Sequence, residues 1–151
     1  SNGADMSFYL GAQPKPFVCA IAPVAGTMME SWAKGFRPAD RVSVLAVNAR
    51  RDRTTLWDGD LQNRDGWGAY LGTEGVVDLW VKGLALTRQD RVALSPGIQR
   101  TRWFSGVGNT EVQLYALEVG GHEWPRHLGE KNRTTAEVIW SFFDDHRPRS
   151  R

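Results

Sequence analysis

The chain has 151 residues, enough for one domain with a core of its own, and nothing in it favours two domains. A net charge of +2 argues against nucleic acid as the main partner, and no apolar stretch is long enough to cross a membrane. The single cysteine, Cys19, excludes an intrachain disulfide, and its place in an apolar run favours a buried hydrophobic side chain over a nucleophile.

The first half of the chain alternates between helical and strand-like patterns. Apolar side chains at helical spacing predict a helix over residues 2–13, which Pro14 is expected to end. Residues 17–25 and 42–47 are continuous apolar runs, which are typical of strands covered by helices on both faces. Residues 27–36, between these runs, are expected to form a short helix or an irregular segment.

The second half continues the alternation. Residues 58–72 are rich in turn residues and are expected to form a loop over the sheet edge. Thr73 is a candidate N-cap of an amphipathic helix. Residues 98–104 and 111–119 are strand-like, and the short Ser-Gly-Val-Gly-Asn segment between them indicates a hairpin.

A final helix is marked by Thr134 and Glu137, which have the spacing of a capping box. The whole pattern predicts an α/β fold in which a mostly parallel sheet is flanked by helices. Three or four strands leave one sheet edge and one face uncovered. We therefore expect a missing N-terminal segment or a partner chain to cover them, and we expect the 151 residues alone to fold and catalyse poorly.

Three polar residues lie at the ends of predicted elements, in the chain order Ser, Asp, His. Ser1 directly precedes the first helix, and its neighbour Asn2 presents a backbone amide at the helix N-terminus. Asp52 and His122 each follow a predicted strand by a few residues. These positions predict a nucleophile, an acid and a base for acyl transfer, with the Asn2 amide as one oxyanion donor and a second donor from an upstream loop.

Several motifs support this reading. Residues 1–6 read Ser-Asn-Gly-Ala-Asp-Met, residues 17–28 end in Ala-Pro-Val-Ala-Gly-Thr-Met, and residues 120–125 read Gly-Gly-His-Glu-Trp-Pro. These segments resemble the nucleophile motif, the following strand and the Gly-Gly-His-x-Trp-Pro signature of the polyhydroxybutyrate depolymerase and feruloyl esterase family. That family has the α/β-hydrolase fold, and the resemblance runs from one end of the chain to the other.

The resemblance implies a carboxylic ester hydrolase in which Ser1 is the nucleophile, Asp52 the acid and His122 the base. It implies that residues 1–151 are a partial domain, the C-terminal half of an α/β-hydrolase fold starting at the nucleophile. The substrate would be a hydroxyalkanoate ester or a plant cell-wall ester, either feruloyl or acetyl. The mechanism needs no cofactor and no metal, and relatives of this kind are secreted or periplasmic.

Two departures from the family bear on these expectations. Many relatives carry a cysteine pair near the positions of Leu84 and Ser105, and this chain does not. Arg50 and Arg51 precede the acid, where relatives have small residues. Two cations beside Asp52 would favour its ionised form, and they are also candidates to contact an anionic group of the substrate.

Alternatives remain at each position. Asp58 and Asp60 are rivals of Asp52 for the role of the acid, and Trp124 either lines the substrate pocket or holds the histidine loop in place. A chain that truly begins with Ser1 is also compatible with an N-terminal-nucleophile hydrolase. A non-catalytic fragment that binds sugars or aromatic groups through its seven tryptophans is the third alternative.

Overall fold

A computed structural model describes residues 1–15, 17–38 and 42–147. Four helices surround a five-stranded sheet and a separate two-stranded sheet in this part of the chain. In chain order the elements are α1 (Asn2–Gly11), β1 (Ala20–Ile21), α2 (Glu30–Ala33), β2 (Ser43–Ala49), β3 (Gly59–Asp60), β4 (Tyr70–Leu71), α3 (Thr73–Gly83), β5 (Arg88–Ser95), β6 (Ile98–Phe104), β7 (Glu111–Leu117) and α4 (Thr135–His146).

The larger sheet has the strand order β1-β2-β7-β6-β5. β1 pairs with β2 and β2 pairs with β7 in parallel, whereas β6 pairs antiparallel with both β7 and β5. The carboxyl ends of β1, β2 and β7 therefore lie on the same side of the sheet. β6 and β5 extend the sheet on the side of β7 that faces away from β2.

The expectation of a mostly parallel sheet, as in the C-terminal half of an α/β-hydrolase fold, is wrong because the sheet is mixed. The reason lies in the connections of β5, β6 and β7. Each of the two links is a short turn, and a parallel pair needs a crossover of about a dozen residues or more. β5 escaped the sequence analysis because it is an exposed edge strand rich in charged residues, without the apolar run of a buried strand.

Both faces of the parallel strands are covered by helices, as the apolar runs predict, so the expectation of an uncovered face is wrong for these strands. All seven residues of β2 are buried. Val44 and Ala46 face the core beneath α1 and α3, and Leu45 and Val47 face the core beneath α4. This alternation follows from the strand period of two.

The other local predictions are met in part. The capping box of Thr134 is confirmed, since its side chain accepts from the Glu137 amide while the Glu137 side chain accepts from the Thr134 amide. The apolar run over residues 17–25 contributes only β1 and an isolated bridge from Val24 to Val47. Residues 58–72 contain β3 and β4, which pair with each other.

Apolar side chains remain exposed along α1 and before β1, at Met6, Tyr9 and Phe17. Within residues 1–15, 17–38 and 42–147, no helix is both long and apolar enough to cross a membrane.

Candidate functional site

The acid of the predicted triad is held in a tight turn just beyond β2. The Asp52 side chain is 1% exposed, and its Oδ1 accepts hydrogen bonds from the Thr54 amide at 2.8 Å and the Thr55 amide at 2.9 Å. An Asp side chain commonly binds the backbone two and three residues ahead in this way. The two amides orient the carboxylate and leave Oδ2 directed away from the turn.

His122 receives that second oxygen. Its Nδ1 lies 2.9 Å from Asp52 Oδ2, and its side chain is 27% exposed. Because an ionised carboxylate only accepts hydrogen bonds, Nδ1 of the neutral imidazole carries the proton. Nε2 is then the nitrogen with a free lone pair, which is the state that a general base requires.

The loop that carries His122 is fixed at both ends. At its start, Gly120 has a φ of +86°, which is the left-handed region that favours glycine. At its end, the buried Thr135 donates its amide to the Arg126 carbonyl at 3.0 Å and its hydroxyl to the Pro125 carbonyl at 2.5 Å. The first residue of α4 therefore holds the loop in place.

Ser1 is the N-cap residue of α1, and its exposed side chain makes no capping hydrogen bond. Its carbonyl accepts from the Ala4 and Asp5 amides, and its amino group donates to the Val24 carbonyl at 3.0 Å. The helix therefore does not engage the Ser1 hydroxyl. The Asn2 amide, in the first helical turn, is one of the amides that a helix leaves without an intrahelical acceptor.

The three predicted residues lie at one edge of the sheet. Val24, which accepts from Ser1, bridges β2 near its carboxyl end, and Asp52 and His122 follow β2 and β7. These strands run parallel, so their carboxyl ends meet on the same side. The structure therefore brings Ser1 to the edge at which His122 and Asp52 bond to each other.

Asp5, in the first turn of α1, is a carboxylate with a shifted pKa. Burial raises the pKa of Asp5 above its ordinary value, and the hydrogen bond that its side chain accepts from the Thr27 amide opposes that rise.

The rival carboxylates have other surroundings. Asp58 is exposed. Asp60 is buried, which opposes its ionisation, but hydrogen bonds from the Asp65 and Arg64 amides and from the Arg64 side chain lower its pKa below the ordinary value. These contacts close the turn after β3, and the imidazole of His122 bonds to Asp52 instead.

Arg50 and Arg51, the two residues before Asp52, have different surroundings. Arg50 donates from Nε to Glu118 Oε1 at 2.8 Å, and its guanidinium lies 4.1 Å from the centre of the Trp57 ring. These contacts link the C-terminal end of β2 to the C-terminal end of β7, so Arg50 has a structural role. Arg51 is exposed.

Trp124 lies two residues beyond His122 with 60% of its surface exposed. This exposure leaves the ring free to contact a substrate. A cavity of about 320 Å³ lies between α1 and α2, and its lining residues are Asn2, Asp5, Met6, Tyr9 and Trp32. No group of three or more His, Cys, Asp or Glu residues within the described ranges is arranged to hold a metal ion.

The sequence did not predict that Asp5 or the loop formed by Ala25, Gly26 and Thr27 contributes to this site. Asp5 was one polar residue in a helical pattern, and the loop was hidden inside an apolar run that resembled a strand. The positive φ of Ala25, +52°, has no sequence signal because the residue is not glycine. Comparison of the sequence with models of known protein families and with curated proteins finds no match.

Proposed function

We propose that the chain is a serine-dependent carboxylic ester hydrolase in which Ser1 is the nucleophile, His122 the base and Asp52 the acid. The observation that carries the proposal is the 2.9 Å contact between His122 Nδ1 and a buried Asp52 oxygen. A carboxylate in that position holds the imidazole tautomer and stabilises the imidazolium that proton transfer forms.

The reaction proceeds by two acyl transfers. His122 Nε2 takes the proton of the Ser1 hydroxyl while Oγ attacks the ester carbonyl carbon, which gives a tetrahedral oxyanion. His122 then returns the proton to the alkoxide oxygen as the C–O bond breaks, and the alcohol leaves an acyl-enzyme. Water, deprotonated by His122, attacks the acyl carbon, and Ser1 leaves as the hydroxyl when it regains the proton.

The oxyanion is stabilised at the N-terminus of α1. The Asn2 amide is in the first turn, where the helix dipole also favours negative charge. The amide after the nucleophile is the usual donor at a serine that opens a helix.

The ester class follows from the sequence motifs. Their resemblance to polyhydroxybutyrate depolymerases and feruloyl esterases points to a hydroxyalkanoate, feruloyl or acetyl ester, in a secreted or periplasmic protein. The exposed ring of Trp124 is the candidate contact for the acyl or alcohol group. The exposed side chains of Met6 and Tyr9 support packing of a further segment or a partner chain against α1.

The test measures hydrolysis of p-nitrophenyl butyrate by the protein as its gene encodes it. Ser1→Ala and His122→Ala should each remove most of the activity, and the double variant should lose little more because the triad acts as a unit. An alkyl fluorophosphonate should label Ser1 in the wild type, detected by mass spectrometry, and should label His122→Ala far more slowly.

His127→Ala is the matched control, since His127 bonds to the Arg133 carbonyl on the protein surface. It should retain wild-type turnover. Near-normal hydrolysis by His122→Ala would contradict the proposal and favour an N-terminal-nucleophile hydrolase, in which the Ser1 amine is the base.

A further inference from the structure

The loop formed by Ala25, Gly26 and Thr27 is the point at which the parts of the site meet. Thr55, in the turn that holds Asp52, donates its hydroxyl to the Ala25 carbonyl at 3.3 Å. β2 reaches the loop through Asn48, whose side-chain amide donates to the Gly26 carbonyl at 3.1 Å. From α1, the Asp5 carboxylate accepts the Thr27 amide at 2.8 Å.

The first turn of α1 lies directly on this loop. A Cβ atom added at Gly26 would come within 2.4 Å of Ala4 Cβ, 2.7 Å of Asp5 Oδ1 and 3.0 Å of the Ser1 carbonyl oxygen. Real Cβ contacts are essentially never shorter than 3.0 Å. Only glycine therefore permits this approach, and the position of Ser1 depends on the contact between the turn and the loop.

Strain in the same loop supports a functional role. Ala25 has a φ of +52°, a conformation that residues with a side chain rarely adopt. Such conformations persist where the surroundings fix the backbone, and they concentrate at functional sites. Here the surroundings are the hydrogen bonds from Thr55 and Asn48 and the bond from the Ala25 amide to the Val47 carbonyl.

We infer that Asp5 is a positioning residue of the ester hydrolase, whose carboxylate binds the Thr27 amide and so holds Ser1 in register with His122 and Asp52. The inference rests on the proposed function. It assigns to Asp5 a role that the three triad residues cannot fill, because none of them bonds the helix of the nucleophile to the loop beneath it.

The test compares Asp5→Ala and Asp5→Asn by kcat and KM on p-nitrophenyl butyrate. Asp5→Ala removes the acceptor of the Thr27 amide, and we expect kcat to fall about 10- to 100-fold with KM little changed, since a small displacement of a reacting group has such an effect. Asp5→Asn keeps an acceptor oxygen and should restore most of kcat.

The conservative variant separates positioning from a purely structural role. If Asp5 acts by accepting the Thr27 amide, kcat falls in Asp5→Ala and returns in Asp5→Asn, while KM stays close to the wild-type value in both. Asp78→Ala, which removes an exposed carboxylate from α3, is the control and should leave kcat and KM unchanged.

The contradicting outcomes are distinct for the two proposals. Wild-type kcat in Asp5→Ala would overturn the role of Asp5, and so would an Asp5→Asn variant that is as slow as Asp5→Ala. If Ser1→Ala is inactive in the same assay, either result overturns the inference alone. An active Ser1→Ala variant would instead overturn the proposed function on which the inference rests.

Discussion

At the scale of single residues, the site depends on a hydrogen bond that fixes one tautomer. Asp52 has its Oδ1 occupied by two backbone amides and its Oδ2 by His122 Nδ1. A carboxamide in its place would present either an oxygen or an NH₂ group to the imidazole. A carboxamide has the same shape as a carboxylate and still accepts the two backbone amides of the turn. The change in activity therefore reports only on the proton at His122 Nδ1.

We expect Asp52→Asn to lower kcat by about 10⁴-fold, because an NH₂ group facing Nδ1 favours the tautomer with its proton on Nε2. The measurement is turnover of p-nitrophenyl butyrate, with circular dichroism as the check on folding. Asp58→Asn, an exposed rival acid before β3, should keep its activity. Equal losses in the two variants would mean that the Asp52 carboxylate has no special role.

At the scale of elements, the contact between α1 and the 25–27 loop requires a glycine. Gly26→Ala places a Cβ atom 2.4 Å from Ala4 Cβ, so α1 has to move away from the loop. We expect a loss of activity at least as large as that of Asp5→Ala. Gly75→Ala in α3 is the matched control, because its nearest atom would be Leu71 Cδ2 at 3.8 Å, an ordinary contact. Normal turnover by Gly26→Ala would show that the contact is dispensable.

The capping box of α4 makes a second prediction at this scale. Thr134→Ala removes the acceptor of the Glu137 amide, and we expect it to lower the free energy of unfolding by about 1 kcal/mol. Urea denaturation measures the change, with the exposed Thr87→Ala as control. An unchanged midpoint for Thr134→Ala would contradict a stabilising cap.

The same cap predicts a dependence of stability on pH. Hydrogen bonds from the Thr134 amide and hydroxyl lower the pKa of Glu137 below its ordinary value of 4.5. The carboxylate form is therefore bound more favourably in the folded state, and the contribution is complete above pH 4.5 and is lost as the pH falls through the lowered native pKa. The stability difference between wild type and Glu137→Gln should shrink over that range, and a constant difference would contradict the assignment.

At the scale of the whole molecule, the core beneath α1 and α3 is centred on Trp80. The ring is completely buried, it lies 4.9 Å from the Phe36 ring between centroids, and its Nε1 donates to Met28 Sδ at 3.3 Å. Gly11 in α1 comes close to the same ring. Trp80 thus joins α3 to α1 and to the segments that flank α2.

We expect Trp80→Ala to lower the free energy of unfolding by about 3–5 kcal/mol, because the surroundings cannot fill the space of an indole. Trp140→Ala is the matched control, since 71% of Trp140 is exposed and its removal should change stability by less than about 0.5 kcal/mol. Urea titrations followed by far-ultraviolet circular dichroism compare them. Similar midpoints for the two variants would contradict this account of the core.

The sequence by itself determined the features that depend on neighbouring residues. The capping box of Thr134 opens α4, the apolar run near residues 42–47 forms β2, and the two strand-like segments before and after residue 107 form the β6–β7 hairpin. The placement of Asp52 and His122 just after strands was predicted in the same way. Periodicity, caps and turns are local signals, so one chain is sufficient to read them.

Only the tertiary structure decided how these pieces combine. The sheet is mixed because β6 pairs antiparallel with β7 and β5. β5 forms a strand because β6 pairs with it, although its own sequence is that of an exposed, charged segment. The contact of Asp5 with Thr27 spans 22 positions, and that of Asp52 with His122 spans 70. Such contacts form where packing brings distant segments together, and no periodic pattern along the chain encodes them.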